Sequence, residues 1–470
     1  MKKTKAIFLL TIFFITTCAT AKAAFPRNDD PAWKAIRNQK IDLSEPLSLT
    51  QLIDIALKNN PATRQAWENT LVAKAVKKQA QGAFFPKASV SADVTREKEI
   101  ASISANNVDD LHYGPSFKIT YLLFNFGGRA ASVEETSQRL VSANYQYNQS
   151  IQDLVLNVEK AYYELHTSRE NLSAAKDDAE NSKIDYEAMR EKYDVGLAAE
   201  NDVLGAKSNY DTSLYNLENA KGAVKSAKAN LAQVIGLPAD ADIEIVTPAG
   251  DIPIVTELDI TQLIEETIKT KPDLVSQRAE LKAKKAAVWS ARADLLPTLN
   301  AGGSGGISQY HYYGDKRFKE NDREYAAYLS VDWDVFDGLA NFYKMQQAEK
   351  EADAQYEQLV QAEIAASVDV WSKYYDYNTA LKKYDSSKAF YDSVNSSYIL
   401  TSESYKVGLK SVLDLIQSQS KLSDAKSKYT ASKKGVFVAL AELARAAGLL
   451  DSKIFEAKTS FNIKGDKTND

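Results

Sequence analysis

The chain has 470 residues, 63 acidic against 58 basic side chains, and a formal charge of −5. That mildly acidic balance argues against nucleic acid as a partner. The only cysteine, Cys18, lies in the first twenty residues, which excludes a disulfide framework for the rest of the chain.

The N-terminus opens with the basic MKKTKA, continues as the apolar IFLLTIFFITT and reaches Ala21-Lys22-Ala23, the pattern of a cleaved export signal over 1–23. The apolar run is short for a bilayer span, and no later segment reads as a transmembrane helix. Ile15-Thr16-Thr17-Cys18 offers a second reading, a lipidated Cys18, which Thr17 disfavours because small residues precede such a cysteine. Residues 24–47 read as a peripheral extension.

From residue 48 the chain is written twice. SLTQLIDIALKNNPATRQAW (48–67) lies over DITQLIEETIKTKPDLVSQR (259–278) without a gap, Pro61 falling on Pro272 and Pro86 on Pro297. LFNFGG (123–128) answers VFDG (335–338). EKYDVGL (191–197) answers ESYKVGL (403–409), placing Gly196 and Gly408 212 positions apart, as are Gly236 and Gly448. The expected partition is a first repeat over 48–236, a Pro-containing linker over 237–258, a second repeat over 259–450 and a tail over 451–470.

Within each repeat a short amphipathic helix stops before its proline, and a second ends at Phe85-Pro86 or Leu296-Pro297. The strand pairs are placed at about 87–124 and 298–336. KASVSADVT (87–95), SFKITYLLF (116–124) and YLSVDWDVF (328–336) alternate apolar and polar residues; in TLNAGGSGGIS (298–308) Thr, Asn and Ser share one parity. The glycines of GGSGG (302–306) suit close backbone packing or a bend, since no Gly-Lys-Ser/Thr follows. The segments 95–114 and 309–324 read as charged loops.

Long helices follow at 128–194 and 197–235, and again at 339–406 and 409–447. The stretch from Gly128 to Asp194 has no proline and would extend about 100 Å. Leu165, Leu172, Ala179, Tyr186 and Tyr193 recur every seventh residue, and the matching set in the second repeat is Tyr377, Tyr384, Tyr391, Tyr398 and Tyr405, a coiled-coil seam.

Strands with one apolar and one polar face suit either a membrane barrel or a half-buried soluble sheet. Four strands cannot close a barrel, and an open edge is not tolerated in lipid. The strands are therefore soluble, or several chains combine them; three chains would supply about twelve strands.

The ordered double occurrence of these motifs resembles the TolC family of outer-membrane channel proteins over about 48–450. The resemblance implies an α+β membrane protein: a homotrimer whose chains each give four strands to a twelve-stranded β-barrel, continuous with a tunnel of long antiparallel coiled-coil helices in the periplasm. It implies a passive exit duct of a tripartite efflux pump or type I secretion system in the outer membrane of a Gram-negative-type bacterium. The implied partners are a periplasmic adaptor (a membrane fusion protein), an inner-membrane transporter and outer-membrane lipid, with no cofactor.

Residue by residue, the resemblance assigns Val195, Gly196, Leu197, Val407, Gly408 and Leu409 to the adaptor-docking tip. Asp202, Tyr405 and Lys410 match a gate held between neighbouring helix pairs; Lys410 replaces an arginine and loses its two-pronged grip. Asp414 matches an aspartate ringing the constriction, and Gln417 occupies the position of a second such ring, so one ring is expected. Asp202 and Asp414 also suit helix N-terminal chemistry beside the turns.

His112, His166 and His311 show no metal-ligand spacing and no Gly-x-Ser-x-Gly is present, so the chain does not read as an enzyme. A soluble periplasmic coiled-coil scaffold is the alternative. The adaptor itself is disfavoured because this chain carries two hairpins, each with its own strand pair.

Overall fold

The computed structural model describes residues 45–99, 108–247, 259–312 and 319–450. The proposed signal segment, the lipidation question at Cys18 and the 451–470 tail lie outside the described residues.

The elements are α1 (Leu49–Asn59), α2 (Pro61–Gln81), a 3-10 turn (Gly82–Phe84), β1 (Lys87–Glu99), β2 (Val108–Phe124), α3 (Gly128–Asp194) and α4 (Glu200–Ile235). The second repeat gives α5 (Ile260–Thr270), α6 (Pro272–Ala293), β3 (Thr298–Tyr312), β4 (Lys319–Asp332), α7 (Ala340–Lys406) and α8 (Val412–Ala446). α3 and α7 each run 67 residues. Among the described residues, no helix is long and apolar enough to cross a membrane.

Helix ends are fixed by local chemistry. Ser48 caps α1 in a reciprocal box with Gln51, and Asp259 accepts from Thr261 and Gln262 at the start of α5. At the C-terminal ends of α3, α4, α7 and α8 the glycines Gly196, Gly236, Gly408 and Gly448 take φ between +71° and +79°. In each case the next residue donates back to the carbonyl five positions earlier, closing a Schellman turn. Gly236 is required on packing grounds too, because a Cβ there would press on the Asn59 carbonyl.

Compactness divides the chain into two units, and each draws on both repeats: one takes the chain to Pro61, Asn157–Asp251 and Phe390–Lys434, the other Ala62–Leu156, Ile252–Ala389 and the chain from Gly435. In the first unit the end of the N-terminal extension is paired rather than free. Leu47 bridges Ile245 in parallel, and Leu47 N–H donates to the Glu244 carbonyl at 2.8 Å. The linker is pinned beside it: Arg169 of α3 donates to the Ile243 carbonyl and pairs with Glu244 at 2.6 Å, while Lys228 of α4 pairs with Asp242 and Glu244.

In the second unit Val370, Tyr377, Val436, Leu443 and Ala447 form a buried cluster, with Tyr384 packed against it. The seam position Tyr377 is fully buried, as Leu165 is in the first unit. Arg445 of α8 reaches Asp153 of α3 at 2.6 Å and Asp273 of α6 at 3.6 Å.

The second unit also holds the sheet, four antiparallel strands in the order β1-β2-β3-β4. Register and alternation give it two faces. One carries Ala88, Val90, Val94, Phe117, Ile119, Leu329 and Val331; the other carries Ser89, Ser91, Ser116, Asn300, Ser304 and Asp332. The polar face is bonded across strands, with Ser91 and Ser116 hydroxyls 2.7 Å apart and Asn300 Nδ2 donating to Asp332 at 2.8 Å. The apolar face is exposed in the single chain, Val90 at 74% and Leu329 at 67%. Close packing explains the glycines: Gly302 lies under the Tyr328 ring of β4, where a Cβ would collide.

Several expected boundaries are corrected here. β1 runs on to Glu99 and β2 starts at Val108, so much of the expected 95–114 loop is strand. β3 reaches Tyr312 and β4 begins at Lys319, which does the same to 309–324. β4 also ends at Asp332, not 336; Trp333 turns its indole to the Leu295 carbonyl, and Gly338 and Leu339 then bend the chain at positive φ into α7. The second helix of the first repeat ends at Gln81, and the helices that follow the two glycine turns start at Glu200 and Val412, three residues after the positions expected.

At the end of β2, Arg129 donates to the carbonyls of Leu123 and Ala83 and lies over the Phe84 ring at 4.8 Å. This ties strand, 3-10 turn and α3 together and gives the LFNFGGR motif a structural use.

Candidate functional site

The two interhelical turns are near copies. In the first, Gly196 N–H donates to the Tyr193 carbonyl at 2.9 Å and Leu197 N–H to the Lys192 carbonyl at 2.7 Å. In the second, Gly408 donates to Tyr405 at 3.0 Å and Leu409 to Ser404 at 2.8 Å. The glycine φ angles are +78° and +79°. A Cβ at either glycine would meet nothing within 4 Å, so backbone conformation alone demands glycine there.

The flanking side chains are apolar yet uncovered: Val195 is 69% exposed, Leu197 79%, Val407 71% and Leu409 79%. A Schellman turn ordinarily buries the residue after glycine against the last helical turn. Here the residues in that turn are Lys192 and Ser404, and both leucines stay 79% exposed. Each turn presents two aliphatic side chains to solvent.

Beneath the turns, Met189 of α3, Ala206 of α4 and Val412 of α8 are buried together, with Tyr186, Ala198, Val203, Tyr405 and Ile416 packed around them. Both turns therefore stand on one shared cluster. Tyr405 also lies under Lys192 of α3, whose Nζ is 4.8 Å from the ring centroid and 3.5 Å from the hydroxyl oxygen. Lys192 carried no signal in the sequence: a lysine in the last turn of a helix is an ordinary surface residue.

Asp414 lies in a reciprocal cap. Ser411 N–H and hydroxyl both donate to its Oδ2, at 3.1 and 2.8 Å, and Asp414 N–H returns to the Ser411 hydroxyl at 3.2 Å. The Ser411 hydroxyl, then its N–H and the Lys410 charge, hold the Asp414 carboxyl below the usual aspartate range. The corresponding start of α4 has Ala199 and no side-chain cap, leaving Glu200 and Asp202 as the acidic residues of its first turn. Asp202 is half-buried and Lys410 exposed. Among the described residues of this single chain, neither meets Tyr405 in a hydrogen bond or ion pair.

Elsewhere His112 sits 3.3 Å from Asp110 and His166 3.3 Å from Glu170. Among the described residues, no group of three or more metal-ligating side chains is assembled.

The model of the outer membrane efflux protein family matches residues 52–237 and 263–449, both repeats almost end to end. Protein CyaE of Bordetella pertussis is 29% identical over 394 residues, covering 83% of this chain and 81% of that protein. Outer membrane protein TolC of Escherichia coli is 24% identical over 438 residues, covering 91% and 87%. The Campylobacter jejuni CmeC outer membrane channel has the same fold, with a TM-score of 0.75 at 18% identity over 89% of this chain and 90% of CmeC. The chain belongs to the outer membrane efflux protein family, the TolC-like channels of the outer membrane.

Proposed function

We propose that three copies of the chain combine their sheets into one twelve-stranded barrel and their helices into a periplasmic tunnel, forming the passive exit duct of a tripartite efflux pump or type I secretion system. The observation that carries this reading is the sheet. Among the described residues, β1 and β4 each leave one edge unpaired while the adjoining face is apolar and exposed. In lipid such edges must be closed, and neighbouring copies supply the missing strands. In this reading the apolar face meets lipid and the polar face lines the duct.

The repeated turns give the second half of the proposal. Val195-Gly196-Leu197 and Val407-Gly408-Leu409 offer two near-equivalent aliphatic knobs per chain, six in a trimer, to the helical hairpins of a periplasmic adaptor. Asp202, Tyr405, Lys410 and Asp414 form the gate beside them. The duct does no chemistry of its own; the adaptor links it to an inner-membrane transporter that drives export.

The protein mass of the detergent-extracted particle, by light scattering with detergent subtracted, tests the assembly. Three chains in a particle that requires detergent is the expected result. A monomer or dimer released without detergent would overturn it in favour of a soluble scaffold.

A further inference from the structure

Three helices of the first unit, α3, α4 and α8, border a crevice of about 530 Å³, within the size range of small-molecule sites. Such sites are ordinarily lined by apolar and aromatic side chains. Here four alanines are the apolar part of the lining among the described residues. The rest are hydroxyls, amides and carboxylates, with no aromatic ring, lysine or arginine.

The hydroxyls are turned into acceptors. Ser182 donates to the Asp178 carbonyl at 2.6 Å, Thr212 to the Ser208 carbonyl at 2.8 Å and Ser213 to the Tyr210 carbonyl at 2.7 Å, each within its own helix. Ser423 donates across to the Asp178 carboxylate at 2.7 Å. With their protons committed, these oxygens offer lone pairs to anything that enters. Gln419, one turn of α8 from Ser423, adds another acceptor: the residue is only 7% exposed, and its Oε1 meets no hydrogen-bond donor. A buried acceptor without a donor is costly, and a ligand that donates removes the cost.

The carboxylates differ in what already holds them. Asp424 pairs with Lys428 at 2.7 Å and Glu164 with Lys434 at 2.8 Å. Asp178 has the Ser423 hydroxyl, and the charge of Lys426 reaches it although Lys426 is not part of the lining. On α3 the lining runs from Glu164 to Ser182, about 27 Å at 1.5 Å per residue, so the crevice is long.

We propose that this crevice is a binding site for a linear polyamine, with an ammonium group taken by Asp178 and Gln419 and the chain lying along α3 toward Glu164. An ammonium carries three donors and no acceptor, which matches a lining of acceptors. A sugar or nucleobase would find no ring to stack on, and an apolar molecule would find only alanine methyls. Among the described residues, no three metal-ligating side chains come together to favour a metal ion instead. The site belongs to a single chain, so the inference goes beyond the duct reading and stands apart from it.

Isothermal titration calorimetry of the full detergent-extracted protein with spermidine, at about 0.15 M salt, tests it. The wild type binds saturably. Asp178→Asn, which keeps an acceptor for Ser423 and removes the charge, weakens binding by about tenfold or more, and Gln419→Leu weakens it severalfold. Gln419→Glu, which adds a carboxylate to the lining, strengthens it. Unchanged affinity in both Asp178→Asn and Gln419→Leu would overturn the proposal, as would no saturation below about 10 mM spermidine. Binding lost in Asp414→Asn but kept in Asp178→Asn would also overturn it, placing the amine at the tip. Equal binding of triethylene glycol, a neutral chain of similar length, would overturn it by showing that the crevice does not read charge.

Discussion

Lys192 of α3 stands over the ring of Tyr405 of α7, its Nζ 4.8 Å from the centroid and 3.5 Å from the phenolic oxygen. The contact joins the last turn of one long helix to the last turn of the other inside a single chain. The resemblance assigned Tyr405 to a latch between neighbouring helix pairs, with Asp202 and Lys410. Tyr405 thus already has a cation before any neighbour arrives, and an exposed pair of this kind is worth about 0.5–1 kcal/mol.

Removing that cation should loosen the resting tip. Lys192→Met is expected to raise the open probability of the pore a few-fold in planar bilayers, in line with about 0.5–1 kcal/mol. Tyr405→Phe keeps the ring under the cation and loses only a long hydrogen bond, so it should stay close to wild type. The reverse ranking would show that the phenol, bonded elsewhere in the assembly, does the holding.

The long helices were legible because nothing in 128–194 or 340–406 interrupts them, and the turns because glycine at positive φ repeats with its neighbours. The strands were cut short for a physical reason. Alternation was read by hydrophobicity, and on the apolar face it stops at Val94 and Tyr325, where Arg96, Lys98, Arg323 and Lys319 take over although the pairing continues. The opposite error came at Trp333 and Val335, which keep the alternation after the backbone has left the sheet. Lys192 was invisible because its partner lies 213 residues away.

Asp414 should stay charged well into acid, since Ser411 stabilises the carboxylate. Its folded pKa is depressed, so the interaction is present above the ordinary aspartate value of about 3.9 and is lost as pH falls through the lower folded value. Asp414→Asn is expected to lower the cation selectivity of the pore and its block by multivalent cations. In the wild type both should hold steady from pH 7 down to about 4, near the unperturbed aspartate pKa. Unchanged reversal potentials in the variant would remove Asp414 from the constriction.

Gly196 and Gly408 separate conformation from docking. Alanine at either position meets no atom and is opposed only by its positive φ, about 1 kcal/mol, so the turns should survive. Gly196→Glu and Gly408→Glu add a charge between two exposed aliphatic knobs. We expect export to continue in the alanine variants and to fail in the glutamates, with the trimer intact in all four on detergent-compatible native gels. Normal export in both glutamate variants would refute docking at these turns.

Gly302 lies beneath Tyr328 on the neighbouring strand, and alanine there drives a Cβ into the ring. Gly302→Ala should lower the heat resistance of the assembled barrel by about 1–3 kcal/mol, the range for overpacking. Adding Tyr328→Ser removes the obstacle and should recover part of the loss. Heat-dependent migration of unboiled samples reads both effects, and an additive double variant would show that the ring yields freely.

Acid should act in the opposite sense on two carboxylates of α3. Burial raises the pKa of Asp178 and Asp185, although Ser423 donates to Asp178 at 2.7 Å and Lys426 lies near enough to oppose the shift. Asp178 lines a polar crevice of about 530 Å³ with Ser182, Ser213 and Gln419, and Tyr398 of α7 feels the charge of both aspartates. A folded pKa above the unfolded one means that folding favours the protonated form. Stability from these groups is fully present below about pH 4, the unfolded value, and is lost as pH rises through the higher folded value. Asp178→Asn keeps an acceptor for Ser423 and removes the charge, so it should stabilise the helices at pH 7 and flatten their thermal stability between about pH 4 and 7. The variant and the wild type should converge at the acid end of that window. A loss of stability at pH 7 in Asp178→Asn would instead show that the Lys426 attraction outweighs burial, and that the crevice holds its carboxylate as a charged group.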